Sequence, residues 1–145
     1  MEDIRWKQRH SNFTSMVNYL KNGLDGKGID DLSELEQGGI AKGFELCFEL
    51  LWKLLKDYLD HEKIDVDLPS PANIIRTAAS VGIIEKIGAD GNIIIKMQKC
   101  RNELVHIYNQ EQFFNALKDV KDFYLPQFVK VNNYFVDLIN NYDEK

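Results

Sequence analysis

Apolar and aromatic residues recur early in the chain at Trp6, His10, Phe13, Val17, Leu20 and Leu24, in alternating steps of four and three. Steps of that kind lay one apolar stripe along an α-helix, so the pattern predicts a bundle helix here. Asp25-Gly26-Lys27-Gly28 ends it by supplying flexible backbone. A second helix is predicted from Ser33, which forms a capping-box pattern with Glu36, to about His61, a length of about 42 Å. Its inner face reads Ile40, Phe44, Cys47, Phe48, Leu51, Leu54, Leu55 and Tyr58. Gly38, Gly39 and Gly43 weaken its early turns, and two readings stand for them: close contact with a neighbouring helix, or fraying.

Leu68-Pro69-Ser70-Pro71 interrupts the pattern. Ser70 as cap and Pro71 at the first position predict a short third helix that closes at Gly82, followed by Ile83 and Ile84. After a turn at Gly88–Asn92, a fourth helix is predicted from about Asn92 to His106. Ile93-Ile94-Ile95 would also suit a strand, but the pattern continues through Met97 and Leu104 and favours helix. Asn109 with Gln112 caps a fifth, bearing Phe113, Phe114, Leu117, Val120, Phe123, Tyr124, Phe128, Val131, Phe135 and Leu138. Pro126 lies inside it and should bend it. The expected fold is all-α: an antiparallel up-and-down four-helix bundle with one additional short helix, as a single domain over 1–145.

Composition narrows the function. At 145 residues and 44% hydrophobic, the chain has one domain's worth of length and enough apolar residues for a core. Cys47 and Cys100 both fall on apolar helical faces and read as reduced core residues of a cytoplasmic protein. The charged start Met1-Glu2-Asp3-Ile4-Arg5-Trp6 is unlike a secretory signal, and no stretch approaches a membrane span. The net charge of −5 argues against holding nucleic acid by its backbone alone, so any RNA contact must be local, and a protein partner suits the charge at least as well.

The chemistry concentrates in Arg101-Asn102-Glu103-Leu104-Val105-His106-Ile107-Tyr108. It holds a permanently charged phosphate binder, a group that titrates near neutrality and a phenol within about two helical turns. On a regular helix Arg101 and Tyr108 differ by only ~20° around the axis, whereas His106 is turned ~140° from Arg101. Asn102 and His106, four apart, are neighbours. Arg101 and His106 can therefore meet in two ways: the helix ends near His106, or two copies of the chain come together as a homodimer. Arginine would hold a phosphate by a bidentate fork, and histidine would move a proton at a ribose hydroxyl or a leaving oxygen. The structural alternative is a helix end whose His106 caps carbonyls and whose Arg101 is a solvated charge.

Around this motif the chain resembles the nucleotidyltransferase substrate-binding protein family, of the HepT-like proteins in the HEPN superfamily. The resemblance runs through Arg5-Trp6-Lys7-Gln8-Arg9, Asn12-Phe13, Leu35-Glu36 and Phe44-Glu45. It continues through Phe48-Glu49-Leu50-Leu51-Trp52-Lys53-Leu54-Leu55-Lys56-Asp57-Tyr58-Leu59, Ser70-Pro71, Ile75-Arg76 and Gly82-Ile83-Ile84, and ends on Arg101-Asn102, His106, Tyr108 and Tyr124-Leu125-Pro126. It implies a helical bundle that dimerises and pairs with a small, separately encoded nucleotidyltransferase, as in a two-gene toxin-antitoxin pair. In HepT-like members it further implies a metal-independent ribonuclease with Arg101 and His106 catalytic, Arg101 and Asn102 toward the nucleotide, and Tyr108 adenylylated by the partner. Two function classes follow: a substrate-binding partner subunit, and an endoribonuclease silenced at Tyr108. Either takes an RNA or nucleotide ligand; neither calls for a membrane or a cofactor. Similar chains often carry an acidic residue where this one has Cys100, and a tryptophan near Ile94.

The other candidates read as scaffold. His10, His61 and His106 are scattered, so no metal site is expected. Cys100 beside Arg101 reads as a packed cysteine before an activated thiol. Glu45 and Glu49 share a helix face and either line a groove or pair with Lys42 and Lys53 in solvent. Trp6 and Trp52 read as core anchors.

Overall fold

The computed structural model describes residues 2–106 and 109–143, whose regular structure is all helical, with no strand among them. Helix α1 spans Glu2–Leu24, a 3-10 turn covers Ile29–Asp31, and α2 spans Glu34–His61. Two short helices follow, α3 over Pro71–Ser80 and α4 over Ile83–Ile87. Then come α5 over Gly91–Leu104, α6 over Gln110–Asp119, a π-helical turn over Val120–Tyr124 and α7 over Leu125–Asp143.

The caps sit where local chemistry puts them. The Ser33 hydroxyl accepts from the Glu36 N–H at 3.1 Å, and the Glu36 carboxylate accepts from the Ser33 N–H at 3.0 Å, closing the reciprocal box. These bonds hold the Glu36 carboxyl below its ordinary pKa. Ser70 accepts from the Asn73 N–H, with Pro71 as the first helical residue. Asn109 opens α6 by accepting from the Glu111 and Gln112 N–H groups. Gly82 and Gly88 bracket α4 in the left-handed region, both at φ 84°.

Helix α2 is the central element: it packs mainly on α1 and also on α3 and α5, while α7 packs on α1 and also reaches α2, where Phe128 meets Phe44 and Phe135 meets Tyr58. Phe13, Phe44, Phe48, Phe128 and Phe135 are fully buried in one continuous hydrophobic cluster. Phe44 stacks on Tyr124 at 5.4 Å between centroids, and Phe128 meets Phe13 edge-on at 6.1 Å. The glycine question resolves toward close contact. A Cβ on Gly43 would lie 2.9 Å from Leu20 Cδ2, and one on Gly39 would lie 3.0 Å from the Tyr19 hydroxyl, so α1 nests into α2 at these two positions.

Several expectations need correction. Helix α5 starts one residue earlier, under an Asp90 cap, and ends at Leu104, with Val105 and His106 in a turn beyond it. Ile83 and Ile84 open the short helix α4. The interruption near Pro126 takes the form of the π-turn just before it, in which the Leu125 N–H donates to the Val120 carbonyl, five residues back. Pro126 has no N–H to donate, and the widened ladder precedes that gap. The π-turn also leaves Phe123 half exposed, while Tyr124 points inward.

Candidate functional site

The last turns of α5, the turn after it and α6 enclose an open groove of about 1120 Å³. Helix α5 contributes Lys96, Lys99, Asn102 and Glu103, the turn contributes His106, and α6 contributes Gln112, Asn115 and Asp119. The floor is Cys100 of α5 and Tyr124 of the π-turn. Burial, helped by the nearby Asp119 and Glu103 carboxylates, pushes the Cys100 thiol up to about 12. Burial likewise raises the Tyr124 phenol to about 12, with Cys100 adding to the effect. Cys100 is thus packed and protonated, as is Cys47, whose thiol burial also raises to about 12.

Asn102 and His106 share this groove, as their four-residue spacing implied. Arg101 does not line it. The chain leaves the α-helical path before His106, whose N–H donates to the Glu103 carbonyl three residues back at 2.9 Å. The His106 ring is exposed. Tyr108, expected to share the Arg101 face, lies outside the described residues.

Arg101 turns instead to α2. Its Nη2 lies 3.7 Å from Glu49 Oε2, its Nη1 lies 3.5 Å from Asn102 Oδ1, and its Nε is buried with no hydrogen-bond partner among the described residues. Glu49 gathers two further donors from its own helix: the Trp52 Nε1–H at 3.1 Å and the Lys53 ammonium at 3.2 Å. Burial pushes the Glu49 carboxyl up, but Trp52, Lys53 and Arg101 together outweigh it and hold it below its ordinary pKa. Glu45 pairs with Lys42 at 3.7 Å. Both carboxylates therefore find the expected lysines, and Glu49 additionally crosses to the motif arginine.

Trp6 is buried against Phe135 as expected of a core anchor. Trp52 is only half-buried: its ring packs against the core while its N–H serves Glu49, so it borders the Arg101 site. The Glu49, Trp52 and Lys53 spacing placed these three on neighbouring positions of one helix, but nothing local in the sequence pointed across to Arg101. Among the described residues, no group of three or more His, Cys, Asp or Glu side chains could hold a metal ion. No described helix is long and apolar enough to cross a membrane.

Two chemistries result. On one side of α5 an arginine with unfilled donor capacity faces α2, about one third exposed. On the other, an exposed imidazole and carboxamides line an open groove. Residues 8–137 match the family model described as nucleotidyltransferase substrate binding protein like. No curated protein matches the chain.

Proposed function

We propose, because the chain belongs to the nucleotidyltransferase substrate-binding protein-like family, that it is the substrate-binding partner subunit of a separately encoded minimal nucleotidyltransferase. It would be the HepT-like, HEPN-type half of a two-gene toxin-antitoxin-type pair in the cytoplasm, built as an antiparallel four-helix bundle in one domain. The observation that carries this reading is the family match across residues 8–137, which takes in both the α2 segment around Glu49 and the Arg101–His106 motif. The open groove along α5 and α6 supports it, because it offers amides, lysines and an imidazole to a polar ligand. If a small nucleotidyltransferase is encoded beside it, co-expression of the two should yield one complex by size-exclusion chromatography. Separate elution at micromolar concentration would refute the pairing.

One observation favours a second reading, a metal-independent ribonuclease. Arg101 is one third exposed and held only loosely by Glu49, and the exposed His106 lies beyond the end of α5, which suits a phosphate clamp and a proton carrier. Within one chain the two face different neighbours, so this reading draws them together from two copies in a homodimer. The partner enzyme would silence the pair by adenylylating Tyr108, adding bulk and negative charge where an RNA phosphate would sit. Incubation with that enzyme, magnesium and ATP should add one adenylate mass to wild type and none to Tyr108→Phe. Arg101→Ala and His106→Ala should abolish RNA cleavage without unfolding the chain.

A further inference from the structure

Two segments far apart in sequence, Glu49-Leu50-Leu51-Trp52-Lys53 on α2 and Arg101-Asn102 on α5, meet at a single carboxylate. Glu49 Oε2 takes the Trp52 Nε1–H at 3.1 Å and stands 3.7 Å from Arg101 Nη2, while Oε1 stands 3.2 Å from Lys53 Nζ. The grip on Arg101 is the loosest of the three. At 3.7 Å it is an ion pair without a short hydrogen bond, and the guanidinium contact to Asn102 is 3.5 Å. The Nε is shielded from water and has no hydrogen-bond partner among the described residues. A guanidinium has five donors in a fixed fork, and this one is poorly filled. Its side chain is 35% exposed, so an outside oxyanion can reach it.

We propose that Glu49 is an internal competitor at a phosphate site formed by Arg101, Lys53 and the Trp52 indole N–H. The carboxylate occupies the place of a ligand oxyanion, holds the three donors aligned in its absence, and weakens anion binding by its own charge. A phosphoryl group entering on the open side of Arg101 meets Glu49 within a few ångströms, where like charges repel strongly at partial burial. Tetrahedral phosphate oxygens suit the reachable donors better than one planar carboxylate does, since they supply acceptors to Nη1 and Nη2 together. Glu49 thereby sets a threshold: a single weak anion leaves it in place, and a multiply charged phosphate displaces it from Arg101. Lys53 lies beside the Trp52 ring, 5.8 Å from its centroid, and can turn from Glu49 to the incoming anion without leaving the site. The inference rests on the phosphate-binding role given above to Arg101, and assigns Glu49, Trp52 and Lys53 to that same site.

The test uses the whole chain, uniformly labelled with nitrogen-15, at low salt so that a partly exposed site is not screened. Sodium pyrophosphate and a short single-stranded RNA without terminal phosphates are titrated separately. The Trp52 indole N–H resonance, assigned by its loss in Trp52→Phe, is followed. Glu49→Gln keeps an acceptor for Trp52 and removes only the charge, so the fold should persist, as circular dichroism would verify. Glu49→Gln should bind at least one probe roughly fivefold or more tighter than wild type, with the Trp52 signal moving on binding. Arg101→Ala should abolish the effect and Lys53→Gln should weaken it. Tightening for pyrophosphate alone identifies a free nucleotide phosphate as the source, and tightening for RNA alone identifies internucleotide phosphates. Arg101-dependent binding that is equal or weaker in Glu49→Gln overturns the inference and leaves the phosphate role of Arg101 standing. No binding of either probe by any variant overturns both, while the pairing with a nucleotidyltransferase is still read independently by co-elution.

Discussion

Gln127 is the sharpest single probe of how the motif helix is seated. It is a buried polar side chain on α7, and its Oε1 accepts from the Asp90 backbone N–H at 2.8 Å. Asp90 is the N-cap of α5 and accepts from the Asn92 and Ile93 N–H groups. One amide thus ties the start of the motif helix to α7. Gln127→Leu removes the acceptor at nearly constant volume and leaves the Asp90 N–H unpaired, which should cost about 1–3 kcal/mol. A chain of 145 residues unfolds with an entropy of about 0.3 kcal/mol/K, so Tm should fall by roughly 3–10 °C. Asp90→Ala removes the cap itself and should cost about 1 kcal/mol. The double variant should lose less than the two singles together, because both release the same first turn. Thermal unfolding followed by circular dichroism gives the shifts, and hydrogen exchange should show the amides of Asn92, Ile93 and Ile94 exchanging faster. A Gln127→Leu melting point within about 1 °C of wild type, with those amides unchanged, would refute the argument that this bond seats α5.

Three further outcomes follow from the core. Burial lowers the His10 pKa below 6.5, against the opposing pull of its hydrogen bonds to Asn132, so the fold prefers the neutral ring. The unfolded chain then binds the proton more readily, and the His10 contribution is full above pH 6.5 and lost as pH falls through the lowered value. His10→Gln should flatten that part of a Tm-against-pH profile. Phe128→Ala, at a fully buried ring between Phe13 and Phe44, should cost about 3–5 kcal/mol in a denaturant titration. Cys47 and Cys100, both buried with thiols raised to about 12, should resist a disulfide reagent near neutral pH until denaturant is added.

What could be read along the chain was whatever neighbours within a few residues decide. The seam from Trp6 to Leu24, the Ser33 box, the Ser70-Pro71 start and the Asn109 cap all appear as expected, because each depends on spacing and side-chain reach within one or two turns. The helical state of Ile93-Ile94-Ile95 followed in the same way, from its continuity with Met97 and Leu104. Arg101, Asn102 and His106 stand out in the sequence because their spacing concentrates polar chemistry, and the structure brings Asn102 and His106 into one groove while Arg101 turns away. Helix α4 and the π-turn before Pro126 were harder, because a five-residue helix and one widened turn leave almost no periodic trace.

Side-chain direction at the site was decided only by packing between distant segments. Arg101 turns to Glu49, 52 positions earlier, because α5 lies on α2. Trp52 lends its N–H to that carboxylate and so is not a simple core anchor. Tyr124 reaches Cys100 because a π-turn resets the helix phase, and Gln127 reaches Asp90 because α7 passes the start of α5. Local sequence determines where helices begin, end and carry their apolar stripe, since those terms act over about one turn. Which polar groups meet across the bundle depends on how whole helices rotate and slide to fill one core, a condition that all of the buried residues impose together.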